Sequence, residues 1–255
     1  MVNAPAATPS ATYRIETLLP DSSRVRDAAQ IQLAAFDPFV EYQSVIEPLP
    51  RAPMDVRLDR LEFRINEKLR AKSNIKSISI SGEGENGGGS SHLGYVAINE
   101  QTGETVGMSY WMRPGRSHKL PNKDLSAGKM TEEQKDAWEG WDAERYGKLY
   151  EAFQGKMSAV LSERGEEEGC WYLEILAIHP SYQGLRLGPK LLDHHLAQID
   201  HPDNIDVQNA PAYLESSPPA KRLYTSRGFE DVGDVTAEGW EDAFPAMFRP
   251  RQTMG

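Results

Sequence analysis

The spacing of apolar positions changes along the chain, and each spacing predicts an element. YRIETL, Tyr13 to Leu18, reads as a strand, and Asp21-Ser22-Ser23 reads as the cap of a helix reaching about Phe36. In MDVRLDRLEFRINEKLRAK, Met54 to Lys72, the residues Val56, Leu58, Leu61, Ile65 and Leu69 recur near helical spacing with charges between them. That pattern predicts an amphipathic helix. KSISIS, Lys76 to Ser81, suggests a short strand running into the polar loop GEGENGGGSS. Leu93 to Met112 then reads as two strands joined across Asn99 to Gly103, with turn residues where a hairpin needs them.

From Arg113 to about Trp141 the pattern loses its period, which predicts a long loop with short helical pieces. It returns at Asp142 to Gly165, where Tyr146, Leu149, Phe153, Met157 and Val160 share a helix face and Gly165 supplies a stop. WYLEILAIHP, Trp171 to Pro180, is nearly continuous in apolar residues and reads as a buried strand. A helix to about Ile199, a strand at Pro211 to Ser217, a short helix ending at Gly228, and strands near Glu230 to Val235 and Ala246 to Arg249 complete the order. The succession describes an α/β domain with a mixed sheet. The expected organisation is a disordered tail at 1–12 and a single domain at 13–255 with an insert at about 113–165.

Composition narrows the class. The chain has 255 residues, 39% hydrophobic and 26% charged, as an ordinary globular protein does. With 28 Lys+Arg against 38 Asp+Glu its formal net charge is -10, the wrong sign for binding phosphate backbones, so no nucleic-acid partner is expected. An acidic field favours cationic small molecules. No apolar run reaches a membrane span, and a single cysteine, Cys170, permits no intrachain disulfide. The expected compartment is the reducing cytoplasm, with no membrane partner.

The chemistry concentrates in HPSYQGLRLGPKLL, His179 to Leu192. A buried strand that ends in a glycine turn and opens a helix presents unpaired N–H groups at the positive end of the helix dipole, a place that binds phosphate. Only Gly184 and Gly188 are present, so G-x-G-x-x-G is not met, and neither is a P-loop. The stretch does fit Q/R-x-x-G-x-G/A, with Gln183 first, Gly188 last and Arg186 in place of the first glycine. About 40 residues later PAYLESSPPAKRLYTSRGF supplies a strand, a short helix and L-Y-x-x-x-G-F, with Leu223, Tyr224, Gly228 and Phe229 in register. With both motifs in this order, the sequence resembles the GNAT superfamily of N-acetyltransferases, particularly its fungal-type members. The match is residue by residue from Trp171 to Phe229 and by order of elements from Tyr13 to Arg249.

The resemblance implies a mixed, mostly antiparallel sheet of six to seven strands flanked by helices, with central strands splayed to bind acetyl-CoA. It implies pantetheine along the backbone at Leu176, Ala177 and Ile178. The pyrophosphate would lie on the turn formed by Gln183, Gly184, Leu185, Arg186, Leu187, Gly188, Pro189 and Lys190. Pro189 carries no N–H. Ser217 stands where many relatives have an asparagine that contacts the cofactor. A small amine would attack the thioester directly, which calls for a base to take the ammonium proton and an acid to protonate the thiolate. Tyr224 occupies the acid's position, and Glu174, on the central strand before the loop, is the candidate base. No metal is expected.

The first two helices and the insert would wall the acceptor pocket. Phe36, Phe39 and Tyr42 in the first part could line an apolar slot with Tyr110 and Trp111 of the hairpin and Trp138, Trp141 and Tyr146 of the insert, though most of these rings are expected in the core. His179 is expected to cap the strand end, His118 lies in the insert, and His194 and His195 are expected on the solvated side of their helix. The run Glu166-Glu167-Glu168 reads as a solvated loop, and Cys170 as a small buried residue. Two other functions remain open: a non-catalytic acyl-CoA-binding protein that keeps the fold, and a protein-directed acetyltransferase.

Overall fold

A computed structural model of the protein describes residues 11–39, 45, 47, 50–71, 91–115, 130–166, 168–201 and 209–252. Tyr13–Leu18 (β1) pairs antiparallel with His92–Asn99 (β2), β2 with Thr105–Met112 (β3), and β3 with Trp171–Ile178 (β4). β4 meets Ala212–Glu215 (β5) in parallel, and Phe244–Arg249 (β7) inserts between β5 and Glu230–Val235 (β6). The result is one 7-stranded sheet in the order β1-β2-β3-β4-β5-β7-β6, in which β4 and β5 are the sole parallel neighbours. The expected strand at Lys76 to Ser81, the glycine loop after it, the tail through Ser10, Tyr42 and His118 lie outside the described residues.

The helices divide between the two faces because their apolar stripes do. Ser23–Phe36 (α1) and Met54–Arg70 (α2) pack Val25, Ala28, Leu61, Ile65 and Leu69 over Val96, Met108, Tyr110, Ile175 and Ala177. Ser22 sits at the cap of α1 as expected, but its hydroxyl donates to the Leu19 carbonyl instead of to a helix amide. On α2, Val56 and Leu58 are only half-buried, while Arg57 and Arg64 are buried. Ala143–Arg164 (α4) covers the C-terminal half with Met157 and Val160 against Tyr172, Tyr213 and Phe248. It begins on Asp142, whose side chain accepts from the Arg145 amide, and ends on left-handed Gly165. Before it, Glu132–Ala137 (α3), one of the short helical pieces expected in that region, is set off by a reciprocal Thr131–Gln134 capping box, the T-x-x-Q signal.

Leu187–Ile199 (α5) covers the opposite face with Lys221–Thr225 (α6). Leu191, Leu192, Leu196 and Ile199 are buried there against Trp111, Trp171 and Leu214, and each such side chain contributes about 1.5–3 kcal/mol. His195 belongs to the same stripe and corrects the expectation of a solvated position. It is 0% exposed, stacked on Trp111 at 4.1 Å and edge-on to Trp171 at 4.8 Å. The reason is its spacing, four residues after Leu191 and four before Ile199. His194 is half-buried, edge-on to Tyr95. Trp111 lies in this core as well, as expected of most of those rings, because strand alternation turns it away from Tyr110 and Met112.

Candidate active site

Two irregularities open the middle of the sheet. In the β3–β4 register Tyr110 faces Ile175 and Trp111 faces Leu173, so Glu174 is an extra residue, a bulge that bends β4. β4 and β5 then pair only at Trp171 with Ala212 and Tyr172 with Tyr213. Beyond Tyr172 the strands diverge, and the edge of β4 through Leu176, Ala177 and Ile178 has no strand on its β5 side.

β4 runs out into a turn built to gather amides. The His179 ring accepts from the Ser181 amide at 3.3 Å, the cap expected of it, and Gln183 Nε2 donates to the Ile178 carbonyl at 3.2 Å. Gly184 and Arg186 both take left-handed backbone, at φ +81° and +59°. Such residues in alternation turn successive N–H groups into one concavity. Arg186 is the N-cap of α5, so the amides of Leu187 and Gly188 belong to its open first turn. Among the described residues no acceptor meets the amides of 184–188. Pro189 falls within the same first turn, where the amide it lacks would have no helical partner.

The charged side chains of this turn differ in their engagement. Lys190 gives its amide to the Arg186 carbonyl at 3.2 Å and its ammonium to the Tyr13 carbonyl on β1. Leu185 and Arg186 are exposed, and the Arg186 guanidinium makes no hydrogen bond or ion pair with the described residues. Gly188 lies against Leu223 of α6 and Ile178 of β4, at 3.7 and 3.9 Å from where a Cβ would stand. The two sequence motifs therefore meet here. Tyr224, next on α6, is buried edge-on to Phe229, and burial pushes its phenol well above the usual 10. No described residue hydrogen-bonds its hydroxyl. Ser217 caps the turn Pro218–Ala220 with its carbonyl, which also accepts from Ser216 Oγ at 2.7 Å.

The face under α1, α2 and α4 carries the acidic groups. Lys68 Nζ lies 2.6 Å from Glu174 Oε2 and 5.1 Å from the centre of the Tyr110 ring, and His92 Nε2 lies 3.5 Å from Glu174 Oε1. Across the divergence, at the end of β5, Glu215 accepts from the Tyr172 hydroxyl at 2.6 Å. Burial pushes its carboxyl up to about 7, against hydrogen bonding that lowers it. Sequence reasoning passed over Glu215; its one signal was an acid inside a strand that is otherwise apolar, AYLE. From α3 to α4 run four half-buried rings in succession: Trp138 to Trp141 at 4.8 Å, Trp141 to Tyr146 at 5.4 Å and Tyr146 to Tyr150 at 5.9 Å. Tyr150 lies near enough to Tyr172 to raise its phenol further. Cys170 is buried and its thiol pushed far up, chiefly by burial. Glu166 is half-buried and ion-paired to Arg251 at 2.9 Å, so the acidic run is not wholly solvated.

Residues 145–231 match the family model described as Acetyltransferase (GNAT) domain. Over that segment the chain is similar to GNAT acetyltransferase domains. Its fold recurs in solved structures of low identity. A histone acetyltransferase HPA2-related acetyltransferase of Corynebacterium glutamicum aligns with TM-score 0.55 and 18% identity over 96% of this chain and 98% of that one. A putative arylalkylamine N-acetyltransferase 7 of the yellow fever mosquito gives TM-score 0.56 and 16% identity, covering 93% and 87%. The polyamine N-acetyltransferase of Drosophila melanogaster, which forms N-acetylagmatine, gives 0.52 and 14%, covering 93% and 100%. Among curated proteins none matches. The seven-stranded, mostly antiparallel sheet flanked by helices is the GNAT fold. No described helix is long and apolar enough to cross a membrane, and no described group of His, Cys, Asp and Glu could hold a metal ion.

Proposed function

We propose that the protein is an acetyl-CoA-dependent N-acetyltransferase of a small primary amine with an apolar or aromatic body. The observation that carries the reading is the continuity of the site: a strand edge without a partner among the described residues leads into a turn whose amides 184–188 meet no described acceptor. An extended amide-bearing arm suits the edge at Leu176, Ala177 and Ile178, and a pyrophosphate suits the turn from Gln183 to Lys190, with Arg186 as an added cation. Acetyl-CoA supplies the activated acyl group, and this chain's residues bind, orient and move protons.

On the acceptor side the ring succession Trp138 to Tyr150 offers apolar and cation-attracting faces, and Glu174 places a carboxylate at the bulge. Held between Lys68 and His92, Glu174 is suited to draw in and orient an ammonium group. Tyr224, protonated at any neutral pH, is placed beside the loop to give its proton to the departing thiolate. The names of the mosquito and fly relatives, an aryl-substituted amine in one and agmatine in the other, support amines of this kind.

The test is calorimetric titration with acetyl-CoA followed by thiol release against 2-phenylethylamine, tryptamine, agmatine and spermidine. Saturable binding and turnover on an aryl-substituted amine are expected. Binding without turnover on any amine would instead indicate a non-catalytic acyl-CoA-binding protein, and failure to bind acetyl-CoA would end both readings.

A further inference from the structure

The two carboxylates beside the splay are held in opposite ways. Glu174 on β4 is met by Lys68 of α2 and by His92 of β2. Glu215 on β5 has no cation against it among the described residues. The titratable groups around it are Tyr172 of β4, Tyr213 of its own strand and Cys170 at the foot of β4; beyond Tyr172 stand Glu174 and Tyr150 of α4. Its Oε2 accepts from Tyr172, while its Oε1 is buried with no protein partner. The Tyr213 hydroxyl lies near enough to hold the Glu215 carboxyl down, and it is itself buried without a geometric hydrogen bond among the described residues. A buried oxygen left so is costly, and an ammonium supplies the donor it lacks.

Tyr172 and Tyr213 form the last pair before β4 and β5 part, and Glu215 follows two residues later, on the same strand face as Tyr213. It therefore stands at the mouth of the divergence, across from Glu174.

We propose that Glu215 is the catalytic proton acceptor for the amine, with Tyr172 as the positioning residue that aims its carboxylate. This rests on the acetyl-transfer reading above. The ammonium gives one proton to Glu215 and becomes a neutral amine. The amine nitrogen forms a bond to the acetyl carbon as the carbon–sulfur bond breaks. The second nitrogen proton balances the one taken up by the thiolate through Tyr224, and Glu215 returns its proton to solvent. A carboxyl poised near neutrality can both take and release that proton at working pH, whereas one paired with lysine is a weak base.

The experiment is the pH profile of kcat/KM for acetyl transfer to 2-phenylethylamine, or to whichever amine of the panel the wild type uses, in wild type, Glu215→Gln, Glu174→Gln and Tyr172→Phe. The wild type is expected to lose rate below about pH 7. Glu215→Gln should fall about 100-fold or more at pH 8 and lose that limb. Glu174→Gln should keep the limb while raising the acceptor KM. Tyr172→Phe should move the limb upward, because the phenol's hydrogen bond favours the ionised carboxylate, a shift that a merely structural role would not produce. Acetyl-CoA affinity, read by calorimetry, should be unchanged in all. A limb that persists in Glu215→Gln, or vanishes in Glu174→Gln, overturns the assignment. A wild type that acetylates no amine of the panel removes the acetyl-transfer reading itself, whereas an active wild type with an unaltered Glu215→Gln removes only the base.

Discussion

Replacing Arg186 separates strain from charge in the loop. The residue holds φ +59° at the cap of α5. A side chain with a Cβ costs roughly 1–2 kcal/mol in that region, and glycine removes the cost. Because the strained backbone is already present without a ligand, its relief belongs to stability and cancels from binding. Arg186→Gly should therefore raise stability by about 1 kcal/mol, a rise in Tm of roughly 2–4 °C for a chain of this size. The guanidinium makes no hydrogen bond or ion pair with the described residues. If it meets the pyrophosphate, it contributes a charge-assisted hydrogen bond of about 1.5–3 kcal/mol, so its loss should weaken acetyl-CoA binding about 10- to 100-fold. Arg186→Ala keeps the Cβ and loses the charge; it should match glycine in lost affinity without the gain in Tm. Thermal unfolding and calorimetry at two salt concentrations read both effects, and salt should narrow the affinity gap. Tighter binding by Arg186→Gly, or equal binding by all three proteins, would refute the phosphate role.

Tyr224→Phe should leave stability and acetyl-CoA affinity nearly unchanged, since no described residue bonds the hydroxyl, and lower kcat about 100-fold in the thiol-release assay. A variant with full kcat would remove Tyr224 as the acid. His195 predicts a pH dependence of stability: burial first, then the charges of His194 and Arg113, hold its imidazole well below the usual 6.5. The native state then binds fewer protons than the unfolded chain below pH 6.5, so this stability is complete above 6.5 and is lost progressively as the pH falls. Burial depresses His194 as well and adds in the same direction. Urea unfolding across pH 5–8 should show a slope of up to about 1.4 kcal/mol per pH unit from His195, removed in His195→Gln. A slope unchanged in that variant would contradict the assignment.

Much of the frame was legible because local chemistry wrote it. Strand β1, the hairpin, α4 between Asp142 and Gly165, and α5 to Ile199 lie where period, caps and glycine stops predict them. The loop from Gln183 to Lys190 and the helix bearing Tyr224 were also readable, since their glycines and spacing are themselves sequence. The reading of His195 went the other way because it was judged by residue type, while a helix stripe decided its burial. α3 is one of the short helical pieces expected between Arg113 and Trp141, and its capping box places it.

Sequence by itself determined the order of elements, the α/β class and the phosphate-type turn, all of which follow from interactions within about ten residues. Only the tertiary structure decided the rest of the site. The bulge at Glu174 exists only against the register of β3, and the splay only where β5 is held by β7 instead of by β4. The partners of Glu174 come from α2 and β2, and the phenol that holds Glu215 comes from β4. Two glutamates of the same residue type thus acquire different surroundings, one with a cation and one without, because the groups that tune them arrive from distant segments.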